Sequence, residues 1–209
     1  MMIRTVLSGL LMAAGLAFAG PVSGAPMPGI ELLDDNSSCT AGFVTQNNAG
    51  DYFLLTSGHC DSHDGSEWTD VFETHLGRIS ASENNGEDRD AAIIRLDPAA
   101  GQPNGRIAGR YPVANVLTAD QIHVGMTICK IGAQTGETCG PVSAIVGNLV
   151  ETDVYSTIGD SGSPGYVVNP DGTVSAVGLL MGGPVDDDYS TDFVLLDPFL
   201  RQWGLHVVR

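Results

Sequence analysis

Apolar positions along this chain fall in short runs separated by clusters of Gly, Asn, Pro and Asp. Residues 42–45, 52–56, 91–96, 142–146 and 173–180 are such runs. They are rich in β-branched and aromatic side chains, which suit a pleated surface. Asn47-Asn48-Ala49-Gly50, Asn84-Asn85-Gly86, Gly101-Gln102-Pro103-Asn104-Gly105 and Asn169-Pro170-Asp171-Gly172 read as turns. The last lies between two clean runs and predicts a hairpin. Many short strands with frequent turns predict an all-β barrel or sandwich. One helix is predicted, at about 197–207, with Asp197 as its cap and Pro198 at its first position. Phe199, Leu200, Trp203 and His206 or Val207 recur at helical spacing, with Gly204 a weak point.

Residues 1–25 read differently. Arg4 is followed by an apolar stretch from Val6 to Ala19 and then by small residues at Ala17-Phe18-Ala19 and Ser23-Gly24-Ala25. That is the layout of a secretory signal peptide, with cleavage after Ala19 or Ala25. The stretch is short for a membrane span, which takes about 20 apolar residues. A secreted, extracytoplasmic product with no membrane span in its mature form is therefore expected, comprising residues 26–209.

Composition narrows the partners. The 209 residues suffice for one domain, or for one built of two similar halves. A hydrophobic fraction of 43% excludes global disorder. The formal charge is −16, from 9 basic and 25 acidic side chains, and removing residues 1–25 takes it to −17. Phosphate binding needs clustered basic residues, so nucleic acid is excluded as a partner; Lys130 is the one lysine. The acidic run Asp186-Asp187-Asp188 reads as a solvated loop.

The cysteines are Cys39, Cys60, Cys129 and Cys139. An even count in an exported chain implies disulfides, and three pairings are open. The two sequence-local pairings, Cys39 with Cys60 and Cys129 with Cys139, put one bridge in each half. No C-x-x-C pair supports a zinc site, and no metal or other cofactor is expected.

Three motifs carry chemistry. In Thr56-Ser57-Gly58-His59-Cys60 a histidine, the natural general base near neutral pH, follows an apolar strand. Asp90 opens the strand Asp90-Ala91-Ala92-Ile93-Ile94, so its carboxylate can be carried inward against an imidazole. In Gly159-Asp160-Ser161-Gly162-Ser163-Pro164 a serine sits on a glycine-flanked turn that can expose a hydroxyl beside two backbone N–H groups. Any one of these alone reads as a structural histidine, a strand-edge acid or a polar turn. The lipase elbow G-x-S-x-G is not met, because position 163 is serine. His59, Asp90 and Ser161 follow one another at intervals of 31 and 71 residues.

Together these blocks resemble the chymotrypsin-like serine proteases, closest to the compact bacterial streptogrisin and α-lytic branch. Cys39-Thr40-Ala41-Gly42-Phe43 is similar to the strand whose cysteine pairs with the one after the histidine. Cys129-Lys130-Ile131-Gly132 through Thr138-Cys139-Gly140 is similar to that branch's second disulfide loop. The resemblance implies an all-β fold of two antiparallel six-stranded β-barrels with a short C-terminal helix, the first barrel at about 37–112 and the second at about 113–196. It implies His59 as general base, Asp90 as its orienting acid, Ser161 as nucleophile, and the N–H groups of Gly159 and Ser161 as the oxyanion hole. It implies a buried ion pair of Asp160 with Lys130, substrate contacts at Tyr155, Met181, Gly182 and Gly183, a polypeptide substrate, and a monomer.

Two departures qualify this. The family carries a serine where Met181 stands, and its hydroxyl supports the triad acid. Counting six back from Ser161, Tyr155 falls where trypsin-type enzymes have an aspartate at the pocket floor, with Asp153 within reach of a register shift; this leans towards a small or apolar preference, not Lys or Arg. The function expected is a secreted serine endopeptidase. The alternatives are a catalytically weak or inactive trypsin-fold binding protein and a narrow-specificity secreted esterase.

Overall fold

The structure is a computed structural model and describes residues 24–209 except 185, 186 and 188. The signal-peptide reading of residues 1–25 therefore lies almost wholly outside the described residues. Of the acidic run only Asp187 is described.

The apolar runs are continuous because most of their strands are buried on both faces. The first half contributes β1 (Glu31–Leu33), β2 (Ser38–Thr40), β3 (Val44–Asn47), β4 (Tyr52–Thr56), β5 (Glu67–Thr69), β6 (His75–Asn84) and β7 (Asp90–Leu96). The second contributes β8 (Val113–Val116), β9 (Thr127–Gly132), β10 (Gly136–Val146), β11 (Leu149–Thr152), β12 (Pro164–Val168), β13 (Val174–Gly182) and β14 (Thr191–Leu195). Side chains alternate between faces with period two. On β7, Ile94 and Leu96 enter the core of the first half with Leu32, Leu54 and Trp68. Ala91 and Ile93, on its other face, enter a second cluster with Ile131, Tyr166, Leu179 and Val194 from the second half. On β14, Phe193 and Leu195 line a third core within the second half. The shared cluster joins the two halves, and the motifs lie where they meet.

In the second sheet β12-β9-β10-β11-β14-β13 closes on itself through β12–β13 pairing, a six-stranded barrel with β8 added in parallel to β13. The first sheet runs β15-β3-β4-β7-β6-β5-β1-β2, where β15 is Leu205–Val207, and curls as a half-barrel. Just past β2, the Gly42 N–H donates to Leu55 O at 2.7 Å, which draws the sheet round. A Cβ on Gly42 would lie 2.3 Å from Leu179 Cδ2, so only glycine allows this approach. The two-barrel fold expected from the resemblance is present. The hairpin expected at Asn169–Gly172 is also present: Gly172 N–H donates to Asn169 O with Gly172 at φ 81°.

The C-terminal helix differs from expectation. It spans α1 (Leu196–Trp203), one residue earlier at its start, and Asp197 lies within its first turn rather than capping it. It ends at Gly204, which adopts a left-handed conformation (φ 63°) and donates its N–H to Leu200 O. This is a glycine C-cap, and it turns the chain out of the helix. His206 and Val207 belong instead to β15 (Leu205–Val207), which pairs with β3.

Candidate active site

His59 lies on a 3-10 turn, Gly58–Cys60, directly after β4. The turn is pressed onto β6: a Cβ on Gly58 would lie 1.9 Å from Glu83 O. A disulfide from Cys60 to Cys39 ties it to β2, and the second bridge joins Cys129 to Cys139. Asp90 opens β7 and is fully buried. Its Oδ1 accepts the His59 backbone N–H at 2.7 Å, and its Oδ2 lies 2.7 Å from His59 Nδ1. A carboxylate only accepts, so Nδ1 carries the proton and Nε2 keeps its lone pair. That lone pair faces Ser161 Oγ at 2.9 Å.

The preceding residue, Arg89, holds the start of β7. Its guanidinium bonds Glu83 and Gln202 and lies 4.6 Å from the centre of the Phe199 ring.

Ser161 sits on a turn shaped by Gly159 (φ 95°) and Gly162 (φ 85°). The turn is packed against the first half. A Cβ on Gly162 would lie 2.2 Å from Thr56 Oγ1 and 2.5 Å from Thr40 O. Thr40 grips the turn twice: its N–H donates to Ser161 O at 2.7 Å and its hydroxyl to Gly159 O at 2.8 Å. Beneath the turn, Asp160 and Lys130 are both fully buried, with Nζ 3.0 Å from Oδ2. Thr135 Oγ1 donates to Oδ2 at 2.6 Å, and the N–H groups of Gln134, Thr135 and Thr157 donate to the same carboxylate. Burial raises the Asp160 carboxyl, but the hydrogen bonds of Thr135 and Lys130 and the Lys130 charge outweigh it and hold the pKa below its ordinary value. Burial also lowers the Lys130 ammonium, against the pull of Asp160.

No family model matches the chain. An uncharacterized protein of Mycobacterium tuberculosis H37Rv (Rv1815) is 30% identical over 81% of this chain and 80% of its own length. Among solved structures, the α-lytic protease homolog N4 is 29% identical, with a TM-score of 0.68 over 87% of this chain and 98% of that one. Protease A of Thermobifida fusca is 24% identical, with a TM-score of 0.71 over 88% of this chain and 99% of that one. In fold the chain matches the chymotrypsin-like serine proteases, and these neighbours are of the bacterial streptogrisin and α-lytic type.

Against that family the departures take physical form. Met181 packs its side chain against the cluster shared by the two halves. Among the described residues, the hydrogen bonds to the Asp90 carboxylate come from His59 alone. The nearby Ser57 hydroxyl is committed elsewhere, donating to Leu180 O at 2.6 Å. Among the described residues, Cys39, His59 and Cys60 form the one group spaced to hold a metal ion, and both cysteines are spent in the disulfide.

A cavity of about 350 Å³ adjoins Ser161, lined in part by Ser156, Leu180, Gly182, Gly183, Asp187 and Ser190. Gly182 and Gly183 thus fall on the cavity wall. A Cβ on Gly183 would lie 1.8 Å from Ser190 O, so this strand end tolerates no side chain there. Tyr155 and Met181 are not among the lining residues. The Tyr155 ring instead lies 5.1 Å from that of Tyr189. A larger cavity of about 810 Å³ lies between β8, α1 and β15 and contains none of the motif residues. Reasoning from sequence missed Thr40, Thr135, Ser156 and Asp187. Thr40 is flagged only by its place beside Cys39 and Asp187 only by the acidic run, which reads as a solvated loop; nothing local marks Thr135 or Ser156.

Proposed function

We propose that the protein is a secreted serine endopeptidase that cleaves peptide bonds through an acyl-enzyme. The observation that carries this reading is the hydrogen-bonded line from buried Asp90 through His59 to Ser161, at 2.7 and 2.9 Å. Ser161 Oγ attacks the substrate carbonyl carbon while its proton passes to His59 Nε2. Asp90 keeps the imidazole in the needed tautomer and stabilises the imidazolium that forms. The N–H groups of Asp160, Gly162 and Ser163 are spent on Thr157 O, Leu180 O and Asp160 O. Those of Gly159 and Ser161 are the donors of the turn left to bind the developing oxyanion. His59 then protonates the leaving amine as the carbon–nitrogen bond breaks. Water, deprotonated by His59, hydrolyses the ester and restores Ser161. Residues 1–25 as a signal peptide and the two disulfides support export.

The missing hydroxyl donor at Met181 favours one second reading, a latent or binding member of the family. A fluorophosphonate probe separates the two. Labelling of the wild type and not of Ser161→Ala is the expected result. Absence of labelling in folded protein with both disulfides formed would overturn the endopeptidase. If labelling occurs, cleavage of a peptide library rather than of esters alone distinguishes the protease from an esterase.

A further inference from the structure

The cavity beside Ser161 has a hydrogen-bond polarity that follows from the groups behind it. Thr191 Oγ1 lies 2.6 Å from Val154 O, and a carbonyl oxygen only accepts, so Thr191 spends its single proton there. The Ser156 hydroxyl lies 2.7 Å from the same Thr191 Oγ1. Thr191 has no second proton, so Ser156 is the donor in that pair and its own proton is spent too. Ser156 lines the cavity and can offer an incoming group only lone pairs. The carbonyl of Leu180, also on the wall, is occupied by the Ser57 hydroxyl at 2.6 Å and the Gly162 N–H at 2.8 Å.

Charge points the same way. Among the described residues lining the cavity, Asp187 carries the one ionisable carboxylate and no side chain is cationic. Among the described residues its Oδ1 accepts the Tyr189 N–H, at 3.0 Å, and the residue is solvent-exposed. A chain of net charge −16 adds a negative field around the cleft.

We infer that this cavity selects a substrate side chain ending in a cationic hydrogen-bond donor, lysine or arginine, on the acyl side of the cleaved bond. The inference rests on the endopeptidase reading for its place in the reaction. A glutamate there would set its carboxylate against Ser156 lone pairs and Asp187, with the neutral hydroxyls of Thr157 and Ser190 in place of a cation on the wall. An apolar side chain would leave the spare Ser156 lone pairs unused and gain nothing from the Asp187 charge. The small or apolar preference expected from Tyr155 gives way because Tyr155 does not reach the cavity.

Binding to the Ser161→Ala protein tests this without turnover. Calorimetry would compare four peptides identical except for Lys, norleucine, Gln or Glu before the scissile bond. The lysine peptide is expected to bind at least about tenfold tighter than norleucine, in line with a hydrogen bond to a charged group, with glutamate weakest. Adding Asp187→Asn, at an exposed position, should cut the lysine-to-norleucine ratio about threefold or more. Ser156→Ala should cut it too. Norleucine, glutamine or glutamate binding as well as lysine overturns the inference. So does a ratio unchanged in both variants, or no measurable binding of any peptide. Probe labelling of wild type without lysine preference defeats this inference alone. Lysine preference without labelling defeats the endopeptidase reading alone.

Discussion

Replacing Lys130 by methionine keeps most of the side chain's volume and removes its charge. Asp160 would stay fully buried, with the Thr135 hydroxyl and three backbone N–H groups still bonded to it, but without its cation. Removing one partner of a buried pair costs about 3–5 kcal/mol. At about 2–4 °C per kcal/mol for a chain of this size, melting should fall by about 6–20 °C at neutral pH. The penalty should depend on pH. In the wild type the Asp160 pKa is held below its ordinary value of 3.8, so its contribution is present above that pH and lost as pH falls through the folded pKa. In Lys130→Met burial is less opposed and the carboxyl titrates higher. The folded variant then takes up its proton more readily, so the gap between the two proteins should narrow from about pH 7 to about pH 4. Asp160 also lies between the two N–H groups proposed for the oxyanion. A displaced turn should slow fluorophosphonate labelling about 10²- to 10³-fold, the scale of losing one such donor. Near-UV circular dichroism melts at both pH values and labelling rates below either transition would measure this. A melting point within about 2 °C of wild type, with labelling unchanged, would refute the assignment. A large loss that does not narrow in acid would show that packing and not charge is responsible.

Asp90→Asn keeps the shape of the buried side chain but favours the wrong imidazole tautomer; turnover should fall about 10⁴-fold with little change in melting, and retention of a tenth of the activity would exclude Asp90 from its role. Met181→Ser offers Asp90 a hydroxyl donor and vacates packing in the shared cluster. Its labelling should quicken several-fold while stability drops by about 2–4 kcal/mol, and labelling that slows in folded protein would count against the idea that Asp90 lacks support. Thr40→Val strips Gly159 O and the Ala133 N–H of their partner. Urea titration should show a loss of about 1–3 kcal/mol, with slower labelling; wild-type values for both would mean that Thr40 does not hold the turn.

The sequence by itself determined the strand runs, the hairpin at Asn169–Gly172 and the three motifs in order. Each is a local signal: a short apolar run, a turn tetrapeptide, a reactive side chain beside glycines. Cysteine count and export implied disulfides and left three pairings open; the family resemblance pointed to Cys39 with Cys60 and Cys129 with Cys139, and these are the pairs the fold brings together. Helical spacing carried the predicted helix past Gly204, and the left-handed turn there proved stronger than the periodicity. What only the tertiary structure decided is which side chains meet across long sequence separations. Thr40 reaches Gly159, Ser57 reaches Leu180, and the Ser156 hydroxyl donates to Thr191 Oγ1. Counting back from Ser161 led to Tyr155, yet the cavity is lined by its neighbour Ser156, which is buried there while the Tyr155 ring lies against Tyr189. The direction of a hydroxyl's hydrogen bond depends on the acceptor behind it, here a carbonyl on another segment, and no spacing within one motif encodes that.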